Sequence, residues 1–356
     1  MAETQVKRNP SKETGDSSTK KQKIIPSHEK IHLMEKTIQF DIGNRGIGDF
    51  VLPSGELLRG AQSLFRLKGT SNSAAIITGF PCVLESDPPT ETDGPLGAVA
   101  IARAFLATTE PEDSKDACRG PSLYMLTDEC NEAVLRATLE SAGIMNDRRL
   151  IFECFPPKPK WTDENTKRLN ELSAQLTTSV AIERTGPGQD GGYYTMRAND
   201  MTDILAPLHQ IMEPRDTVIG GLAFESVAIG DGGNEVGMGK VRAKILESTV
   251  PFAEKVACVV AADHLIVCGV SNWGGNALGA AMTLLNIDTG MKDATACWEK
   301  AMPTEAEDRV ILDAMVGAGA RDGCSRLLEA TVDGYPFEDS LKITNKIAEI
   351  CLDITK

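Results

Sequence analysis

Ala74-Ala75-Ile76-Ile77-Thr78-Gly79-Phe80 is a continuous apolar run of strand length. A strand that does not alternate has no solvent face, which is the pattern of a parallel sheet covered on both sides. Outward from it, a β–α rhythm repeats. A polar loop from Glu85 to Pro95 leads to a helix over Leu96–Ala107. Strand Leu123–Leu126 and helix Glu129–Ala142 follow, with Asp128 placed to cap that helix and Gly143 to end it. Strand Leu150–Cys154 then precedes helix Asp163–Leu176, capped by Thr162, and strand Ser179–Ile182. Short loops between such units favour a mostly parallel, doubly wound α/β sheet with helices on both faces.

On the N-terminal side, residues 28–70 read as a helix, a Gly-rich turn over Asp41–Gly48 and a second helix from Leu57 to Leu67. On the C-terminal side, the spacing of Met201, Ile204, Leu205, Leu208, Ile211 and Met212 predicts a helix over Asp200–Met212, with His209 on its surface. Glu225–Ile229 and two further runs, Val256–Ala262 and Leu265–Val270, read as strands, and Lys240–Glu247 as a helix. A helix starts near Ser271, and residues 292–356 form a helical C-terminal section ending on Ile343, Ile347, Ile350 and Ile354.

Bulk properties narrow the function. The net charge of −14 argues against a nucleic-acid or anionic-membrane surface, and no apolar run reaches the roughly 20 residues of a membrane span. Nine scattered cysteines without a Cys-x-x-Cys pair fit reduced thiols, hence a cytoplasmic compartment. With only four histidines, a bound metal would take oxygen ligands, which suits Mn2+, Mg2+ or Ca2+. Residues 1–27 hold six basic and three acidic residues among Ser, Thr and Pro, and read as a disordered basic tail. Lys7-Arg8 and Lys20-Lys21-Gln22-Lys23 are spaced like a two-part nuclear signal, a weaker reading than a solubilising tail. Residues 28–356 are expected to form a single domain.

The densest chemical signal is Ile229-Gly230-Asp231-Gly232-Gly233-Asn234-Glu235-Val236-Gly237-Met238-Gly239. Two acids among glycines can bring carboxylates and backbone N–H groups to one ligand. Ligands in open α/β sheets bind beyond the carboxyl ends of the strands. Glu91, Asp93, Glu183, Asp231, Glu235 and Asp263 all fall at predicted positions of that kind, and Asp322 is a further candidate. Each alone reads as a cap or a solvated turn acid. Together they would repel unless protons or cations compensate.

Glu91-Thr92-Asp93-Gly94-Pro95 and Gly230–Glu235 share an outline with haloacid-dehalogenase phosphatases. The match fails at Glu91, where the nucleophilic Asp belongs, and at Pro95, where Thr belongs. A closer resemblance runs through Asp41–Ile47, Thr78-Gly79-Phe80, Glu91–Pro95, Ile182-Glu183-Arg184, Ile229–Gly239 and Gly269–Gly274. Over residues 28–356 these look like the C-terminal domain of the D-glutamate cyclase family. Vertebrate-type members carry an additional hydro-lyase-like N-terminal domain, for which this length leaves no room, so a stand-alone domain is expected.

The resemblance implies an acidic cavity holding Mn2+ or Mg2+ through Glu91, Asp93, Glu183, Asp231, Glu235 and Asp263. It implies conversion of D-glutamate to 5-oxo-D-proline and water, with a Mn2+-dependent phosphatase acting on small phosphomonoesters as the alternative and a non-catalytic metal- or nucleotide-binding module as a third. Asp231, Glu235 and Arg184 are then the catalytic candidates, and Arg45, Asn234 and Asn272 the substrate-binding ones. Arg184, Lys240 or Arg242 would offset a phosphate. The expected partner is a small-molecule anionic substrate, with no nucleic acid and no membrane; a homo-oligomer is compatible with the sequence. By resemblance a mitochondrial location is also open.

Overall fold

A computed structural model describes residues 25–43, 45–110, 120–290 and 293–352. The basic tail and its two-part signal lie outside the described residues up to position 24. The chain opens with α1 (Ser27–Ile38) and α2 (Glu56–Phe65), then alternates β1 (Ser73–Ile77), α3 (Pro95–Thr108), β2 (Ser122–Asp128), α4 (Glu132–Ser141), β3 (Leu150–Phe155), α5 (Asp163–Gln175) and β4 (Leu176–Ile182). A two-stranded hairpin of β5 (Val218–Ile219) and β6 (Leu222–Ala223) precedes β7 (Glu225–Gly230). Then come α6 (Arg242–Glu247), α7 (Ala253–Val256), β8 (His264–Val267), α8 (Ser271–Asp288), α9 (Ala294–Ala301) and α10 (Glu305–Gly317). A second hairpin, β9 (Thr331–Val332) and β10 (Tyr335–Pro336), and α11 (Phe337–Leu352) complete the described fold.

Six strands form one parallel sheet in the order β3-β2-β1-β4-β7-β8. Successive residues of each strand feed opposite cores, because side chains alternate across a pleated sheet. Ala74, Ile76, Val180, Ile182, Val227 and Ile229 pack under α1, α2, α3, α8 and the C-terminal helices. Ala75, Ile77, Ala181, Ala228, Leu265 and Val267 pack under α5, α6 and the 208–212 turn. Both faces being apolar is the reason the strands read as unbroken runs. On the first face α3 and α8 approach so closely that a Cβ on Gly275 would sit 2.5 Å from the Gly97 Cα. The Thr162 cap of α5 forms as expected: its hydroxyl accepts from Asn165 N, and the Asn165 side chain accepts from Thr162 N.

Four expectations fail for local reasons. The predicted Asp200–Met212 helix is instead two 3-10 turns, Thr202–Ile204 and Leu208–Met212. Pro207 between them has no N–H and disfavours helix at Ala206, so the apolar spacing survives without the helix. His209 is tucked against Tyr193, with Nδ1 2.7 Å from the phenol oxygen, rather than lying on a surface. Val256–Ala262 is not a sheet strand: its backbone bonds to the loops at Pro187, Gly233 and Gly237–Gly239. Asp128 makes no cap bond to α4; its carboxylate turns inward.

Candidate functional site

The strand order reverses between β1 and β4, the position where crossovers leave a crevice at the carboxyl ends of an open sheet. The loops after β1, β4 and β7 converge there. They bring Glu91, Asp93, Glu183, Asp231 and Glu235 together, each no more than 6 % exposed. Asp333 joins them from the β9–β10 hairpin and was missed in the sequence. Its signal was available: Val332-Asp333-Gly334-Tyr335 is the Asp-Gly pattern of a two-residue hairpin turn, and both central residues have positive φ (56° and 81°). Asp322 sits behind this hairpin. Its carboxylate accepts from Cys324 N, Ser325 N, Gly334 N and the Thr331 hydroxyl, and so fixes where Asp333 stands.

The acids form two overlapping groups. Oxygens of Glu183, Asp231 and Glu235 lie within 4.8 Å of one another, as do those of Asp93, Asp231 and Asp333. Asp231 belongs to both. Each acid is aimed by its own loop. Glu235 accepts from Asp231 N, Gly232 N and Gly233 N at 2.6–3.0 Å, so the N–H groups of the Gly-rich loop serve a carboxylate of the chain instead of facing a ligand anion. Asp93 accepts from Ser271 N and Asn272 N at the start of α8. Glu183 holds a left-handed φ of 40°, a conformation that costs a non-glycine residue about 1 kcal/mol or more and points to a functional constraint. The Ser271 hydroxyl donates to it at 2.6 Å. A side chain at Gly94 (φ 100°) would come within 2.7 Å of the Glu183 Cβ, so glycine is what lets these two loops meet.

Burial pushes Glu91, Glu183 and Asp231 well above the usual carboxylate range, reinforced by the neighbouring acids. The same burial, with the Asp333 charge, raises Asp93 to about 8. Among the described residues Arg45 is the cation paired with them, 3.0 Å from Asp231 and 2.8 Å from Asp333. Its own pKa is raised, chiefly by Asp231. One arginine does not balance six buried acids. Asp231 Oδ2 is buried without a hydrogen-bond partner. An all-oxygen donor set with a spare, inward-facing carboxylate oxygen fits a hard divalent cation such as Mn2+ or Mg2+. The surrounding cavity is about 360 Å³, and its lining includes the exposed residues Arg197, Thr249, Pro251 and Cys324.

Of the other expected site residues, Asn234 lines the cavity and the rest stand elsewhere. Asp263 lies at the amino end of the sheet, where it accepts from Ser226 N and Oγ. Because Val256–Ala262 is no sheet strand, Asp263 precedes β8 rather than following a strand end. Arg184 is fully buried in a bidentate pair with Asp128, and it also donates to Ala206 O at 2.9 Å. Asp128 further accepts from Ala206 N, so the pair ties β2, β4 and the 206 segment together instead of facing the cavity. Lys240 points to the amino end, toward Glu56 and the Asp263 carbonyl. Asn272 accepts from Gly94 N and Gly97 N and donates to Thr92 O, which fixes the Asp93 loop. Asn234 lines the cavity and donates to Tyr194 O.

The architecture is thus a parallel α/β sheet with a buried carboxylate cavity at its switch point. The particular family follows from comparison. The family model described as "D-glutamate cyclase-like, C-terminal" matches residues 34–348, and the chain belongs to that family. The chain is 32% identical over 334 residues to a human protein named D-glutamate cyclase, mitochondrial. That alignment covers 89% of this chain and 51% of the human protein, so the chain spans about half the length of that relative.

Proposed function

We propose that the chain closes D-glutamate to 5-oxo-D-proline with loss of water, using Mn2+ or Mg2+ held in the acidic cavity. The observation that carries this reading is the cluster of six buried carboxylates around one arginine in a chain of this family. Glu183, Glu235, Asp93 and Asp333, arranged about Asp231, are the residues that would hold the cation. Bound there, it supplies a Lewis acid for a carboxylate that is otherwise a poor electrophile.

The chain's own groups do the rest. In the reaction the amine nitrogen bonds to the γ-carboxyl carbon and one C–O bond breaks. Two protons pass from the ammonium nitrogen to the departing oxygen, which leaves as water. Glu91 lines the cavity and would take a proton at its carboxylate and return it. Arg45 offsets Asp231 and Asp333. Val250 and Pro251 add apolar surface to the cavity lining.

Incubating the whole chain with D-glutamate and Mn2+ should yield 5-oxo-D-proline by chiral chromatography. No product above a metal-only blank would overturn the reading. The eight described cysteines are free thiols, which supports a reducing compartment, cytoplasm or mitochondrial matrix; fractionation into a secreted pool would contradict it. Among the described residues no helix is long and apolar enough to cross a membrane.

A further inference from the structure

The cavity presents five lining acids, Glu91, Glu183, Asp231, Glu235 and Asp333, to a substrate that itself carries carboxylates. Two cations line it, Arg45 and Arg197. Arg45 is occupied, with one guanidinium nitrogen on Asp231 and the other on Asp333. Arg197 is exposed at the mouth, and its guanidinium makes no ion pair or hydrogen bond to a described residue. Its charge reaches Glu85, but that carboxylate is already bonded to Arg326 at 2.7 Å.

The turn that carries Arg197 is held firmly. Thr195 N donates to Asn199 O at 2.9 Å, and Ala198 N donates to Thr195 O at 2.8 Å. The Thr195 hydroxyl accepts from Arg197 N and Asn199 N. Ala198 is kept at φ 61°, a conformation that a non-glycine residue adopts at a cost. Lys255 braces the turn from outside, donating to Ala198 O at 3.3 Å with its ammonium 4.3 Å from the Tyr194 ring centre. A strained, braced turn thus carries an exposed guanidinium, unpaired among the described residues, in the lining of an anionic cavity.

We infer that Arg197 is the carboxylate receptor at the cavity mouth and grips the α-carboxylate of the substrate, the carboxylate that does not react. The inference rests on the D-glutamate reading for the identity of that carboxylate. A guanidinium presents two parallel N–H groups to a carboxylate, so the contact is strong and directional. It also explains how a cavity this acidic admits a dicarboxylate: the α-carboxylate stays at the mouth while the γ-carboxylate enters. Arg197 thereby contributes to specificity, favouring ligands that carry the α-carboxylate over those that, like 4-aminobutanoate, lack it.

The test is calorimetric binding to the whole chain in Mn2+, with D-glutamate, glutarate and 4-aminobutanoate as ligands. Glutarate has both carboxylates and no amine, so it binds without turnover. Arg197→Ala should weaken D-glutamate and glutarate about 10–100-fold, and Arg197→Lys by less. Affinity for 4-aminobutanoate, which lacks the α-carboxylate, should not change. In cyclisation assays KM should rise with kcat nearly constant. Unchanged melting temperature and circular dichroism show that each variant folds. Equal affinity of wild type and Arg197→Ala for glutarate and D-glutamate overturns the inference, as does a wild type that binds neither. Arg197-dependent glutarate binding without any 5-oxoproline would sink the cyclase reading and leave the receptor standing. Product formation with an Arg197-independent KM would do the reverse.

Discussion

β7 separates two groups of acids. At its amino end Glu56, Glu225 and Asp263 gather, and every one is compensated. Glu56 pairs with Arg59 at 2.8 Å and Lys240 at 3.2 Å, and accepts from Leu265 N. Glu225 pairs with Arg66 at 2.5 Å and accepts from Ser63. Asp263 takes the Ser226 N–H and hydroxyl. At the carboxyl end, beyond Gly230, six acids share Arg45. The residue types match and the sheet is the same. What distinguishes a site from scaffold is charge left without a partner, because burial of unpaired carboxylates is tolerated only when something else offsets them.

The sharpest way to break this comparison is to change one acid at each end. Asp231→Asn should abolish 5-oxoproline formation and weaken Mn2+ binding by at least about 100-fold, read by calorimetry. If Asp231→Asn binds Mn2+ like wild type, the carboxyl-end cluster is not a cation site. pH gives the next effect. Glu91, Glu183 and Asp231 have raised pKa values and Asp93 titrates at about 8, so they hold protons that a cation must displace. Mn2+ affinity should therefore rise between pH 6 and pH 8, up to about tenfold per unit for each proton released. Calorimetry in two buffers of different ionisation enthalpy counts those protons, and a count of zero would contradict the raised carboxyls.

Asp308 in α10 offers a control outside both clusters. Its Oδ1 is buried without a partner, and burial raises it from 3.8 to about 7. The folded state holds this proton where the unfolded chain has lost it, so the favourable contribution is full below about pH 4 and disappears as pH rises through 7. Asp308→Asn should then stabilise the protein at pH 8 by on the order of 1–3 kcal/mol and leave pH 4 stability unchanged, as measured by urea unfolding. Equal effects at both values would refute the buried charge. The smallest change is expected at the amino end. Asp263→Asn should cost about 1 kcal/mol of stability through its two Ser226 bonds and shift Mn2+ affinity by less than about twofold.

Much of this architecture is legible in the chain. Ala74–Phe80 reads as a strand of a sheet covered on both faces, and the loops after such strands marked Glu91, Asp93, Glu183, Asp231 and Glu235 as candidate neighbours. Such readings work because side-chain period and strand end are local properties. Pro207 shows the limit of periodicity, since spacing persisted where the missing N–H forbade the helix. Asp263 and Arg184 show another limit. Which end of a strand an acid occupies depends on whether the segment before it joins the sheet. Whether an arginine faces a cavity depends on a partner such as Asp128, which lies 56 positions away. Asp333 depends on a hairpin folding back from the far C-terminal region onto Arg45, across 288 positions. Residue type and period are written along the chain and set the sheet and its loops. The balance of charge between those loops arises between distant segments, so it comes into existence only when they pack.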